Sequence, residues 1–147
     1  MRVEGQYTIG APIERVWAAL QDPEALRHCI PGCEVLAPTG VDSYEARGRI
    51  PVPGFGEAYA GQVMLSEKDP PRRYRLTVQT DGSHAARGEA LVELTATGAS
   101  TVVKVTADGH LGGAMAGIGQ RLLGGVAKGL LNQVFECIKR RVEANCG

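Results

Sequence analysis

His28, Cys29 and Cys33 carry the kinds of side chain from which metal sites and nucleophilic centres are built, and they flank a Pro-Gly turn. Their spacing argues against both uses. A closed zinc site takes four ligands, yet the other histidines, His84 and His110, fall on separate predicted strands or their ends, and no C-x-x-C or H-E-x-x-H motif occurs. Cys29, Cys33 or Ser83 beside His84 as nucleophile would need a base and an orienting third group, and the sequence places no such trio. Cys29 is expected to act as a small hydrophobe in the core. The glycines of Gly113-Ala114-Met115-Ala116-Gly117-Ile118-Gly119 imitate a dinucleotide-binding loop. That chemistry requires a preceding parallel strand within a larger βαβ array, and its usual Y-x-x-x-K partner is absent. Glu57, Glu89 and Asp108 would be acid–base candidates if buried, because desolvation raises a carboxyl pKa. On alternating strands, however, glutamates are expected on the solvated side, as are Arg47 and Arg49.

What remains is a soft apolar lining. Tyr44, Ile50, Phe55, Tyr59, Met64, Leu76 and Val78 on strands and one loop face Met115, Ile118 and Leu122 on a final helix, and together outline an elongated pocket. Leu26 and Ile30, with Pro53, Gly54 and Phe55, are placed at its gate. The chain has only two phenylalanines and one tryptophan to fill a curved interior. Small residues on facing walls leave volume unless the walls collapse together. The chemistry to expect is therefore hydrophobic binding, with an ordinary solid core as the competing reading.

The element that must position this lining is the stretch from Gly112 to Glu143. Its apolar residues Met115, Ile118, Leu122, Val126, Leu130, Val134 and Ile138 recur at helical spacing. A helix of roughly 30 residues would be about 45 Å long and is stable only with a sheet along its apolar side. Each interior glycine costs roughly 1 kcal/mol against alanine, so Gly117, Gly124, Gly125 and Gly129 call for a reason, either close packing on the sheet or contact with a ligand. Ahead of this helix, Val3 to Ile9 alternate as a strand. A helix from Pro12 to about Leu20 follows, then a short one capped by Asp22 with Pro23 inside it, stopped by Pro31 and Gly32. Strands are predicted at Glu34–Pro38, Tyr44–Ile50, Ala58–Glu67, Tyr74–Thr80, Arg87–Ala96 and Thr101–Ala107. Short sequential connections favour an antiparallel meander.

At 147 residues the whole chain, 1–147, reads as one domain that buries roughly two thirds of its unfolded surface. Sixteen basic and sixteen acidic residues cancel, which removes any bulk attraction to nucleic acid. No run approaches the roughly 20 apolar residues of a membrane span. There is no signal peptide, so Cys29, Cys33, Cys137 and Cys146 are expected as reduced thiols of a cytoplasmic protein.

The stretch APIERVWAALQDPEALRHCIPGCE, Ala11 to Glu34, gives these elements a family. With it, the chain closely resembles the CoxG family, named for the G subunit of carbon monoxide dehydrogenase, within the START or Bet v 1-like (SRPBCC) superfamily. The resemblance covers nearly the whole chain. Asp22-Pro23, Ile30-Pro31-Gly32-Cys33, the Gly54 to Gly61 region, the stretch DPPRRYRL from Asp69 to Leu76 and the glycine-bearing final helix carry it most specifically. None of them identifies a catalytic residue.

The resemblance implies an α+β helix-grip fold: a curved antiparallel sheet of about seven strands around a long C-terminal helix, with two short helices after the first strand. It also implies a non-enzymatic carrier of a hydrophobic ligand, an isoprenoid quinone or another lipid with no covalent cofactor, in support of a molybdenum-containing carbon monoxide dehydrogenase or related hydroxylase. The alternatives are an assembly or docking protein for that enzyme with no ligand, and an enzyme acting on a hydrophobic cyclic substrate. Family members of the membrane-recruiting type carry a further tail, whereas this sequence stops at Gly147. Membrane contact is therefore expected to be transient, peripheral at the inner face, and aided by Lys139 to Arg141.

Overall fold

The computed structural model describes residues 2–49, 58–80, 86–111 and 120–144. The elements run β1 (Arg2–Ile9), α1 (Ile13–Leu20), α2 (Pro23–Cys29), β2 (Cys33–Gly40), β3 (Ser43–Arg49), β4 (Ala58–Asp69), β5 (Arg73–Thr80), β6 (Ala86–Thr97), β7 (Ser100–Leu111) and α3 (Gln120–Ala144). The seven strands form one antiparallel sheet in the order β1-β7-β6-β5-β4-β3-β2. β2 to β7 are a simple meander, and β1 closes against β7 from the opposite end of the sequence. This is the expected α+β helix-grip arrangement.

Local chemistry explains the two short helices. Asp22 caps α2 by accepting the Glu24 backbone N–H at 3.0 Å, with Pro23 in the first turn, where its missing donor costs nothing. Val16 and Leu20 in α1, and Ala25 and Cys29 in α2, are buried four residues apart on one face. Gly32 then takes a left-handed φ of 77°, which turns the chain into β2.

Pleating decides which side chains face inward. The registers align Leu65, Leu76, Ala90 and Ala107 in one row across β4 to β7, and Val63, Val78, Gly88 and Gly109 in the next. A third row carries Tyr74, Val92 and Val105. In the first two rows, bulk thus shrinks to alanine and glycine on β6 and β7. The solid core lies at the other end, where Ile9, Val16, Val103, Ile138 and Val142 pack almost solvent-free. Thr101 is buried there as well, its hydroxyl donating to the Ala11 carbonyl at 2.8 Å.

α3 is fixed along β1. The Tyr7 and Phe135 rings stack with centroids 4.5 Å apart, and the Tyr7 hydroxyl donates to Asn132 Oδ1 at 2.7 Å. Gly10 N–H donates to Glu143 Oε2 at 2.7 Å. Cys29 of α2 and Cys137 of α3 form a disulfide, with Cα atoms 5.3 Å apart. This corrects the expectation of reduced thiols for these two residues and of Cys29 as a plain core hydrophobe. The residues lie 108 positions apart, so their adjacency is a product of the tertiary fold and leaves no local trace in the sequence. Cys33 is a free thiol, and Cys146 lies outside the described residues.

Candidate functional site: an apolar cavity between sheet and helices

Where the bulk of the inner rows falls away, the sheet and α3 do not meet. They enclose a cavity of about 240 Å³. Its floor is the inner face of β3 to β7, with Tyr44, Leu65, Leu76, Val78, Ala90 and Val92. Leu131, Val134 and Phe135 of α3 form the roof, and Leu20, Leu26 and Ile30 close the end at α1 and α2. A neighbouring chamber of about 230 Å³ shares Leu76, Val78, Ala90 and Leu131 with it, and continues along Gly88, Ala107, Gly109 and Ala127. The two together make an elongated, mainly apolar space, and along the second chamber the inward positions of β6 and β7 carry only glycine and alanine.

Three of the side chains lining the first chamber carry polar atoms: Gln21, Tyr44 and Tyr74. Tyr74 is buried, with Trp17 set edge-on to its ring at 5.3 Å. Burial alone pushes its hydroxyl well above the ordinary tyrosine value, so it stays neutral. Gln21 ends α1 and lines the chamber, while its amide atoms are themselves buried with no hydrogen-bond partner among the described residues. None of the described residues that line this chamber supplies a carboxylate, imidazole, thiol or ammonium group.

The structure sorts the residues expected to line a pocket. Leu26, Ile30, Tyr44, Leu76 and Val78 stand together on the cavity wall. Met64 does not: it is 53% exposed, on the outer face of β4. Tyr59 and Met64 lie an odd number of positions apart on one strand, so the pleat cannot turn both inward. Tyr59 does face inward, but at the β2–β3 end, where its hydroxyl meets the Cys33 thiol. Burial, then the neighbouring Cys33, pushes Tyr59 up to about 12, and burial raises the Cys33 thiol too. Gly48 makes that corner possible, since a Cβ there would lie 2.2 Å from the Gly32 carbonyl oxygen and 2.9 Å from the Tyr59 hydroxyl. Ile50, Phe55, Met115 and Ile118 lie outside the described residues, as do the side chain of Leu122 and the gate residues Pro53 and Gly54.

Gln21, Val63, Leu65, Tyr74, Ala90, Val92, Leu131, Val134 and Phe135 line the cavity without having been singled out. Strand parity was the available signal for Tyr74, which shares its face with Leu76 and Val78. For Gln21 the only signal was a polar residue at the junction of two helices.

The acid–base candidates sit elsewhere. Glu89 lies on the rim of the second chamber with its side chain 56% exposed, 3.4 Å from Arg75. Asp108 is an exposed residue on the same rim, and Glu57 lies outside the described residues. Among the described residues, no group of three or more His, Cys, Asp or Glu side chains is arranged to hold a metal ion, and no helix is long and apolar enough to cross a membrane.

The model of the CoxG family, described as the G subunit of carbon monoxide dehydrogenase, matches residues 5–143. The chain belongs to this family. Among solved structures, a conserved protein from Geobacillus kaustophilus is 31% identical, with a TM-score of 0.93 over 100% of this chain and 98% of the other. A START superfamily protein from Mycobacterium smegmatis superposes with a TM-score of 0.74 at 16% identity, covering 97% of each chain. Ara h 8.0201 does so with 0.73 at 14% identity over 98% of each. The last two likenesses show the fold alone and place the CoxG chain among START and Bet v 1-like architectures. No curated protein matches the chain in sequence.

Proposed function

We propose that this CoxG-family protein is a non-enzymatic carrier of a hydrophobic molecule, an isoprenoid quinone or another lipid, working beside a molybdenum-containing carbon monoxide dehydrogenase or related hydroxylase. One observation carries this reading: about 240 Å³ stays open between sheet and helix instead of closing as a packed core. Native interiors pack to crystal-like density, and an apolar cavity of about 150 Å³ already suffices to hold benzene. The continuation into a second chamber suits a long chain rather than a compact ring. Burial at roughly 25 cal/mol per Å² holds such a molecule with few polar contacts.

That none of the described residues lining the first chamber is charged supports carriage over catalysis, because general acid–base work needs a titratable group within hydrogen-bond reach of the substrate. The partner enzyme is inferred from the family. Contact with a membrane, where such a ligand would be collected, is assigned to the exposed Arg140 and Arg141 with Lys139.

The test is mass spectrometry of an organic-solvent extract from protein purified out of its native host. Wild type is to be compared with Ala90→Phe, whose ring would fill the space above β6. A near-stoichiometric quinone or lipid, absent from the folded variant, is expected. A clean absence from wild type, repeated after incubation with host membranes, would move the role to assembly or docking of the enzyme.

A further inference from the structure

Two different spaces are walled by α2 and α3 together with the residues that follow α2. Leu26 and Ile30, with Val134 and Phe135, face the apolar cavity. On the other side His28, Glu136 and Arg140 border a polar groove of about 520 Å³. The Cys29–Cys137 disulfide joins the two helices between these spaces, since both cysteines line the groove and neither lines the cavity. The bond is also close in sequence to the cavity wall. Cys29 immediately precedes Ile30, and Cys137 follows Phe135 by two positions.

Burial secures the end of the molecule where Ile9, Val16 and Val103 pack. The helix α2 has less to hold it. It is seven residues long, Leu26 looks onto open volume, and Arg27 and His28 both lie against Glu24 of the same helix. Elements with little buried apolar contact open locally at low cost, so a covalent tie to α3 bears directly on whether this end of the cavity stays shut.

We infer that the groove is a site of thiol–disulfide exchange, and that reduction of Cys29–Cys137 by a dithiol unlatches α2 so that the cavity can load and unload. The second half rests on the carrier reading above. Cys29 is buried and Cys137 half-buried, so attack is assigned to Cys137 Sγ. The incoming thiolate bonds to that sulfur, the bond between the cysteines breaks, and its electron pair leaves on Cys29 Sγ, which takes up a proton. The second thiolate of the reductant then displaces Cys137 and closes into a disulfide of its own. Two electrons and two protons pass from the dithiol, which is oxidised, to Cys29 and Cys137, which become thiols.

The test binds N-phenyl-1-naphthylamine, an uncharged fluorescent probe, to the full chain and follows its release by stopped flow with and without dithiothreitol. Alkylation with iodoacetamide and peptide mass mapping identify the cysteines set free. In the absence of denaturant, dithiothreitol is expected to free Cys29 and Cys137 together while circular dichroism stays native, and the probe is expected to leave at least about tenfold faster. Cys137→Ser is expected to release it fast with or without the reductant. A bond that resists dithiothreitol in the folded protein overturns the exchange site. If the bond opens and release is no faster, or the fold is lost with it, the latch is overturned and the carrier reading stands on the probe bound by oxidised protein. If neither form binds the probe, the carrier reading itself fails and takes the latch with it, while the alkylation pattern still decides the exchange site. The comparison of oxidised and reduced wild type settles the latch even if Cys137→Ser does not fold.

Discussion

Glu143 shows how a single carboxylate can hold two chain ends together. Its Oε2 accepts from Lys139 Nζ at 2.6 Å and from the Gly10 N–H at 2.7 Å, so the end of β1 is tied to the end of α3. The Lys139 hydrogen bond first, and the Gly10 N–H second, hold its pKa below the ordinary value of 4.5. A carboxyl lowered by folding stabilises the fold fully above its unfolded pKa, and that contribution is lost as pH falls through the lower folded value. Glu143→Gln is therefore expected to lower the urea midpoint at pH 7, with the gap to wild type closing on acidification below about pH 4. A gap of the same size at pH 3 would mean that the charge is irrelevant to the clamp. Nothing in the order of residues linked Gly10 to Glu143, and at this scale the sequence was least legible. Tyr59 and Met64 were both read as lining although parity alone separates them, and the pairing of Cys29 with Cys137 is invisible before folding.

Elements were far easier to read, because capping and periodicity are local. Asp22-Pro23 announced α2, and alternation announced the strands from β3 to β7. The spacing of Val134 and Ile138 found the buried side of α3, with Phe135 and Val142 joining them there. The helix glycines are where that reading needs revision. A Cβ placed on Gly124, Gly125 or Gly129 would meet nothing within 4 Å, so close packing on the sheet is not their reason. Gly125, which is exposed, is the cleanest case. Gly125→Ala is expected to stabilise the fold by about 1 kcal/mol through helix propensity, measured as a rise in thermal midpoint. Destabilisation would show that the helix needs the missing side chain for packing after all. Gly124 and Gly129 are half-buried, and alanine there tests in addition whether bound ligand touches this stretch of the helix.

For the molecule as a whole, the meander and the gripping helix were legible because short connections leave few alternatives. The cavity was legible only as a shortage of large side chains. Its position depends on which small residues fall side by side, and that is set by register. The disulfide is a property of this scale too, because it closes a loop of 108 positions and fastens α2 to α3. Closing a loop of that size restricts the unfolded chain, and such bonds are typically worth about 2–4 kcal/mol. Reduction, or Cys137→Ser, is expected to lower the guanidinium midpoint accordingly. A shift worth less than about 1 kcal/mol would mean that the bond contributes little. The order of the sheet has a consequence for how the protein comes into being. β1 bonds along its length to β7 and packs against α3. A ribosome delivers β1 first and both of its partners last. The strands from β2 to β7 can zip together as successive hairpins while the chain is still growing, but the earliest segment made must wait, unpaired, for the latest.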